Sequence, residues 1–363
     1  MHSTDTAMPF SKYKIDQADK TMIKRQRGVA IITALLIVTI AATVSITIST
    51  KLQLDVRRTS NIVAKDQADF ILHIAEYYAR NILSEDAKQN KVDDLSEDWA
   101  RTIPPIPVAG GSILGSITDL NRCLNVNDIL IVPAAAPNNT NTLNNTNNTN
   151  NSNNSANSTA TNTAITGATE SRIRQLFSNL GVDTNLTQSI IDWIDSDLNT
   201  TSPDGAEDGH YLNLEKPYHT ANTQMQSISE LRLVKGFEDI ETYNEVKDSL
   251  CAFVPVAAGV NINVNTATAE VLQSLSAQMT TRLVDDIIDR QNNDPFSNLS
   301  DFTSFNNLSS IITDTSLLDT TSEYFLLRAQ AVIGPANKVM YSVIHRDNGT
   351  GETQVLSRVY RTL

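Results

Sequence analysis

Hydrophobic and polar positions divide the chain into segments of different period. From Val29 to Ser49 there is no charge, no Gly and no Pro. At about 1.5 Å of rise per residue this run predicts a helix roughly 30 Å long, the thickness of a bilayer's hydrocarbon core. From Val29 to Ile103 there is neither Gly nor Pro, so the helix can continue unbroken past the apolar run. Val63, Ile71, Ile74, Tyr78 and Ile82 recur at roughly helical spacing, with Lys65, Asp66, Asp69 and Arg80 between them, which predicts an amphipathic packing face. Pro104, Pro105, Pro107 and the Gly110-Gly111 pair end that pattern, and SILGSITDLNRCLNVNDILIV then alternates as strand and turn. From Asn138 to Thr163 the composition collapses to Asn, Thr, Ser and a few small residues; such a tract cannot bury a core and reads as a disordered surface loop.

Helical patterns return from Thr169, in SRIRQLFSNLGV, LTQSIIDWIDSD, SISELRLVKGF and residues 266–290. The period then changes to two. YFLLRAQAVI, KVMYSVIHR and TQVLSRVYRTL alternate and are separated by GPAN and DNGTG, the pattern of a three-stranded antiparallel meander. The fold class is therefore α+β: a long helix, a small antiparallel sheet, and a helical domain inserted between early and late strands.

Composition narrows the function. The chain has 363 residues, 40% hydrophobic, enough for a sizeable core, and a net charge of −13, which argues against a nucleic-acid binder. Its two cysteines, Cys123 and Cys251, exclude a disulfide-rich scaffold and a cysteine-only zinc site. In an oxidising compartment they can form one bridge, worth about 5 kcal/mol less any strain; otherwise they are two buried thiols. The segment IIDWIDSDLNTTSPDGAEDGHYLNL concentrates acid. Asp192 and Asp195 share a helix face, and Asp195, Asp197 and Asn199 match the first half of an EF-hand loop. The match then fails, with Thr200 at the glycine position and Glu207 one residue late. Crowded carboxylates repel one another unless a hard cation neutralises them, and oxygen-only ligands select Ca²⁺. The candidate ligands are Asp195, Asp197, Glu207 and Asp208, then Asp192 and Asp204; a solvated acidic loop is the alternative. No G-x-S-x-G, H-E-x-x-H or P-loop occurs, and His73, His210, His219 and His345 are scattered. His210 beside the loop reads as a surface or packing residue.

The opening KRQRGVAIITALLIVTIAATVSITISTKLQLD places basic residues and one glycine, Gly28, directly before the apolar run. It admits a signal peptide, for which the run is too long, or a plain single-pass anchor. It also resembles the leader of type IV pilins and type II secretion pseudopilins. That resemblance implies cleavage between Gly28 and Val29 by the prepilin peptidase and methylation of Val29, with Met1 or Met22 as the start. Val29 and Thr33 stand where most members carry Phe and Glu. The segment NINVNTATAEVLQSLSAQMTTRLVDDIIDRQNNDPFSNLSDF resembles a helix-hairpin-helix module. Its hairpin position, SAQMTT, has no glycine, and Asp285, Asp286 and Asp289 surround it, so phosphate is repelled.

Four features taken together, the Gly28 leader, Thr33, the D-x-D…G-A-E-D loop, and S-E-L-R followed by I-N-V-N-T-A, resemble the K-type minor pseudopilins of type II secretion systems. The resemblance implies a pseudopilin fold, a long N-terminal helix on an antiparallel sheet, carrying a large SAM-like α-helical insertion. The expected parts are a leader (1–28), a transmembrane and assembly helix (29–50), and a periplasmic helix with the first strands (51–132). A disordered loop (133–168), the inserted domain (169–321) and the last strands (322–363) follow. It further implies Ca²⁺ at the acidic loop, a place in the bacterial inner membrane with the bulk in the periplasm, and partnership with minor pseudopilins I and J and other pseudopilins. The function implied is that of a non-enzymatic subunit that initiates and caps the pseudopilus tip. A membrane-anchored DNA-binding protein of an uptake apparatus is the alternative, and a metallohydrolase using a pair such as Asp195 and Glu207 is a third. The leader reading predicts that mass spectrometry of the membrane-extracted protein finds an N-terminus at methylated Val29, lost in cells without the peptidase; an uncut chain in both strains contradicts it.

Overall fold

The computed structural model describes residues 18–101, 104–130, 152–257 and 259–362. The chain forms two compact units, residues 1–64 and 65–363. Helix α1 runs over Ala18–Gln89. In the first unit its large apolar side chains from Val29 onward are exposed, and the stretch has a mean hydropathy of 2.6, long and apolar enough to cross a membrane. The hydroxyls of Thr33, Thr39, Thr43, Ser45, Thr47 and Thr50 each donate to a carbonyl three or four residues back. These six hydroxyls are thus satisfied within the helix, as hydrocarbon surroundings would require.

The second unit is built on a five-stranded antiparallel sheet of order β1-β2-β7-β8-β9. Its strands are β1 (Ile106–Val108), β2 (Gly111–Asp119), β7 (Tyr324–Ile333), β8 (Ala336–Arg346) and β9 (Thr353–Thr362). The last three are the expected meander. Against the sheet α1 buries Ala68, Leu72, Glu76, Ala79 and Leu83. Glu76 accepts from the Arg358 guanidinium (2.6 and 2.7 Å) and from Ser342 Oγ (2.8 Å), while Asp69 pairs with Lys338 (2.5 Å). This corrects the expected face. Val63, Ile74 and Tyr78 are exposed and Ile71 and Ile82 only partly covered, because the small Ala68 and Ala79 let the helix sit closer along a different stripe. Ile71, Ile74, Tyr78 and Ile82 instead line an apolar groove of about 220 Å³ with Trp99 and Ile113.

Between β2 and β7 the chain leaves the sheet for residues 120–323. The insertion holds α2 (Ser152–Leu180), α3 (Leu186–Ile194), α4 (Asp208–Tyr211), α5 (Ile240–Val246), α6 (Ala269–Ser274), α7 (Thr281–Asn293) and α8 (Leu299–Ser304). It also holds two short parallel pairs: β3 (Leu124–Asn125) with β4 (Leu250–Cys251), and β5 (Ile262–Asn263) with β6 (Leu318–Asp319). One core unites Ile173, Phe177, Ile190, Phe237, Leu272 and Phe302. Two expected boundaries move. Leu124, Val126 and Ile129 lie in this core, so the insertion begins directly after β2 and not at residue 169. The part of the Asn/Thr tract from Ser152 belongs to α2, not to a loop; a helix nucleated where Ile173 and Phe177 pack is extended at little further cost. The part at 133–151 lies outside the described residues.

The base of the insertion is closed by the Cys123–Cys251 disulfide, Cα–Cα 5.8 Å, in an apolar cluster with Leu120, Phe253 and Tyr324. Beside it lies a buried polar network centred on Arg346. The guanidinium pairs with Asp93 (2.6 Å) and Asp86 (2.8 Å), donates to the carbonyl of Ser322 (2.8 Å) and lies 4.9 Å over the Phe325 ring. Asp93 Oδ2 accepts from Ser322 N, and Ser322 Oγ donates to Asp119 Oδ2 (2.6 Å), which also accepts from Thr266 Oγ1 (2.5 Å). Asn263 Nδ2 donates to the Asp93 carbonyl and to Ser322 Oγ. Helix α1, the ends of β2 and β8, the start of β7 and the insertion therefore meet in one set of hydrogen bonds.

Removing one partner of a buried ion pair leaves an uncompensated charge, so Arg346→Met is expected to destabilise the protein by about 3–5 kcal/mol in denaturant unfolding. A loss below about 1 kcal/mol contradicts this role. Burial also raises the carboxyls of Asp86, Asp119 and Asp128 from 3.8 to about 6, with the charge of Asp93 adding to it at Asp86 and Asp119, and raises Glu97 from 4.5 to about 7. The folded state then binds more protons than the unfolded chain between about pH 4 and 7, so the cost of these charges is complete above pH 7 and fades as pH falls. The denaturant midpoint is expected to be higher at pH 5.5 than at pH 7.5; the reverse order contradicts the assignment.

Candidate metal centre

The acidic segment folds between α3 and α4. Asp192 sits in the last turn of α3, fully buried, and both its oxygens accept from Thr201 N (3.2 and 3.0 Å). Asp195 is the C-terminal cap of α3, and two successive side-chain turns, Asp197 N to Asp195 Oδ1 and Asn199 N to Asp197 Oδ1, bend the chain away. The chain returns through Gly205, where any Cβ would collide with Asp192 Oδ2 and the Thr201 carbonyl; the glycine is needed for this close approach. Glu207 then caps α4, almost fully buried.

Carboxylate oxygens of Asp192, Asp195 and Glu207 lie within 4.8 Å of one another. Burial pushes Glu207 up to about 7, and the charges of Asp192 and Asp195 add to it. Burial first, then Asp197 and Asp192, also raises Asp195. Glu207 Oε1 is buried without a hydrogen-bond partner. Three converging carboxylates, one with an orphaned oxygen, suit a hard divalent cation. Asp197 is exposed at the outer turn and acts on the cluster through its charge. The other two expected ligands turn away. Asp208 pairs with His219 Nδ1 (2.8 Å) and accepts from Thr220 N (3.0 Å) and Oγ1 (2.9 Å), while Asp204 faces Lys235 (3.7 Å). Trp193 and Tyr211 stack edge to face at 5.3 Å beneath the loop, and the His210 ring packs on Tyr211. Thr201, His219 and Thr220 were not singled out from the sequence; they bond to the loop through the fold, and no local spacing announces them.

Asp86, Asp93 and Glu97 also converge, but the Arg346 guanidinium pairs with Asp86 and Asp93, and Glu97 accepts from Asn90 Nδ2 and Trp99 Nε1. In the helix-hairpin-helix-like stretch α6 and α7 form with Thr268 and Thr280 as their caps, and Asp285 and Asp289 are exposed on α7.

Two family models, both described as type II secretion system (T2SS), protein K, match residues 122–255 and 262–321. The chain belongs to the type II secretion system protein K family. The protein K of Pectobacterium carotovorum subsp. carotovorum is 30% identical over 93% of this chain and 98% of its own length. That of Aeromonas hydrophila is 32% identical over 66% of this chain and 67% of its own. Among solved structures, a chain of the GspK-GspI-GspJ complex from the enterotoxigenic Escherichia coli type 2 secretion system superposes with a TM-score of 0.64 at 23% identity, covering 84% of this chain and all of that one. The fold is accordingly the expected one for protein K: a pseudopilin helix and sheet with a large helical insertion.

Glu207→Gln removes a like charge from the cluster. It is expected to stabilise the chain in EDTA at pH 8 and to abolish any rise of the unfolding temperature on adding Ca²⁺, read by differential scanning fluorimetry. A variant that is less stable in EDTA, yet still responds to Ca²⁺, contradicts the cluster's electrostatics.

Proposed function

We propose that this protein is a minor pseudopilin at the tip of a type II secretion pseudopilus, one that helps initiate and cap the filament driving export of folded proteins. The observation that carries this reading is where the insertion is mounted. It leaves and rejoins the sheet at Asp119 and Tyr324, beside Arg346 and the last turns of α1. A shaft subunit needs room for a neighbour at both ends, and a helical domain of residues 120–323 fills one of them. Membership of the protein K family supports the reading, as does the likeness to a fold solved in complex with GspI and GspJ. Minor pseudopilins I and J of the same system are the proposed partners. The role is structural and not enzymatic.

In the same reading the peptidase cuts after Gly28, Val29 is methylated, and the apolar part of α1 anchors the protein in the inner membrane with the remainder in the periplasm. Thr33 fits a first subunit. Its hydroxyl is satisfied by the carbonyls of Val29 (3.1 Å) and Ala30 (3.0 Å), so it asks nothing of a subunit ahead, whereas a carboxylate in hydrocarbon needs a partner. Ca²⁺ is proposed at Asp192, Asp195 and Glu207, with Asp197 close by, where it would neutralise the cluster and fix the loop from α3 to α4.

Co-expression of the full chain with minor pseudopilins I and J, followed by purification in mild detergent, tests the assignment. One copy of each in a stable complex is expected; a chain that purifies alone, or that builds filaments by itself, contradicts it.

A further inference from the structure

Resting on the cation reading above, we propose that Thr220 is a positioning residue of that site: its hydroxyl holds Glu207 Oε2 so that Oε1 faces Asp192 and Asp195. Glu207 has three rotatable side-chain bonds, and nothing in α4 itself fixes its carboxylate. Thr220 is buried at 7% exposure, with Oγ1 3.3 Å from Glu207 Oε2 and 2.9 Å from Asp208 Oδ1. One hydroxyl hydrogen therefore faces two acceptors. Asp208 does not depend on it, because Thr220 N donates to Oδ1 (3.0 Å) and His219 Nδ1 pairs with Oδ2 (2.8 Å). The hydrogen lies nearer Asp208 Oδ1, and Asp208 keeps its two other donors when that hydrogen turns to Glu207, whose other oxygen has no partner.

The segment carrying Thr220 is itself anchored to the site's floor, since Asn222 N donates to the Trp193 carbonyl (3.1 Å). Asp208 is thus the bracket that fixes the backbone of Thr220, and Thr220 aims Glu207. This explains why Asp208 lies beside the cluster without joining it. A cation on Oε1 keeps the carboxylate ionised in a place poor in water, and its second oxygen then needs a donor. Groups that orient a ligand in this way are typically worth about 10–100-fold in metal affinity.

The test uses the full chain in detergent, with Tb³⁺ luminescence sensitised by Trp193 and Tyr211 as the reading and Ca²⁺ as competitor. Thr220→Val keeps shape and removes the hydroxyl; Thr220→Ser keeps the hydroxyl. The expected result is a loss of Tb³⁺ and Ca²⁺ affinity of about tenfold or more for Thr220→Val, with Thr220→Ser within about threefold of the parent. Affinities are read at a temperature where both variants are folded in EDTA, so the split between Thr220→Val and Thr220→Ser is the reading that a merely structural role would not produce. Parent-like affinity of Thr220→Val, or equal losses in both variants, overturns the proposal. A parent protein that binds neither ion removes the cation site itself, and the positioning role with it.

Discussion

The guanidinium of Arg346 is the constraint on which the second unit depends. It is 2% exposed, and a buried charge is tolerable only when its donors are matched. The matching groups come from separate parts of the chain: Asp86 near the end of α1, Asp93 beyond it, and the Ser322 carbonyl where the insertion rejoins the sheet. None of these segments can shift without stranding the charge. Through Ser322, Asp119, Thr266 and Asn263 the same constraint reaches the insertion, and the Cys123–Cys251 disulfide and the β3–β4 pair close its base nearby. A domain of residues 120–323 is thereby held firmly at two strand ends instead of swinging on two linkers.

Among the described residues two clusters of three carboxylates converge, and their difference is instructive. Around Arg346 the negative charge is answered from within the chain. At Asp192, Asp195 and Glu207 no basic side chain among the described residues forms an ion pair, Glu207 Oε1 has no hydrogen-bond partner, and Lys235 and His219 are taken by Asp204 and Asp208. The first cluster is completed by a cation of the protein, and the second is the one at which Ca²⁺ is proposed.

Much of the fold is legible in the sequence where one physical signal dominates. The alternation in YFLLRAQAVI and its two successors gives β7, β8 and β9, and the unbroken apolar run gives the first half of α1. The packing face of α1 is not legible in the large apolar residues, because close approach to a sheet selects the small Ala68 and Ala79. The start of the insertion was misplaced because β3 and the turn Val126–Ile129 read like more of the sheet; their burial is decided by helices distant in sequence. At the acidic loop the clustering of Asp and Glu was readable, but the choice among them was not. Asp192, ranked behind the others, is the fully buried member, and Asp208, ranked ahead of it, is claimed by His219 and Thr220 through contacts no spacing reveals.

The proposed tip position requires a subunit that packs on others in one direction only, with the insertion filling the other end of its sheet. Gold labelling of sheared pseudopili with an antibody to the inserted domain tests this most directly. The account predicts gold at a single end of each filament; gold spaced along the shaft would contradict it.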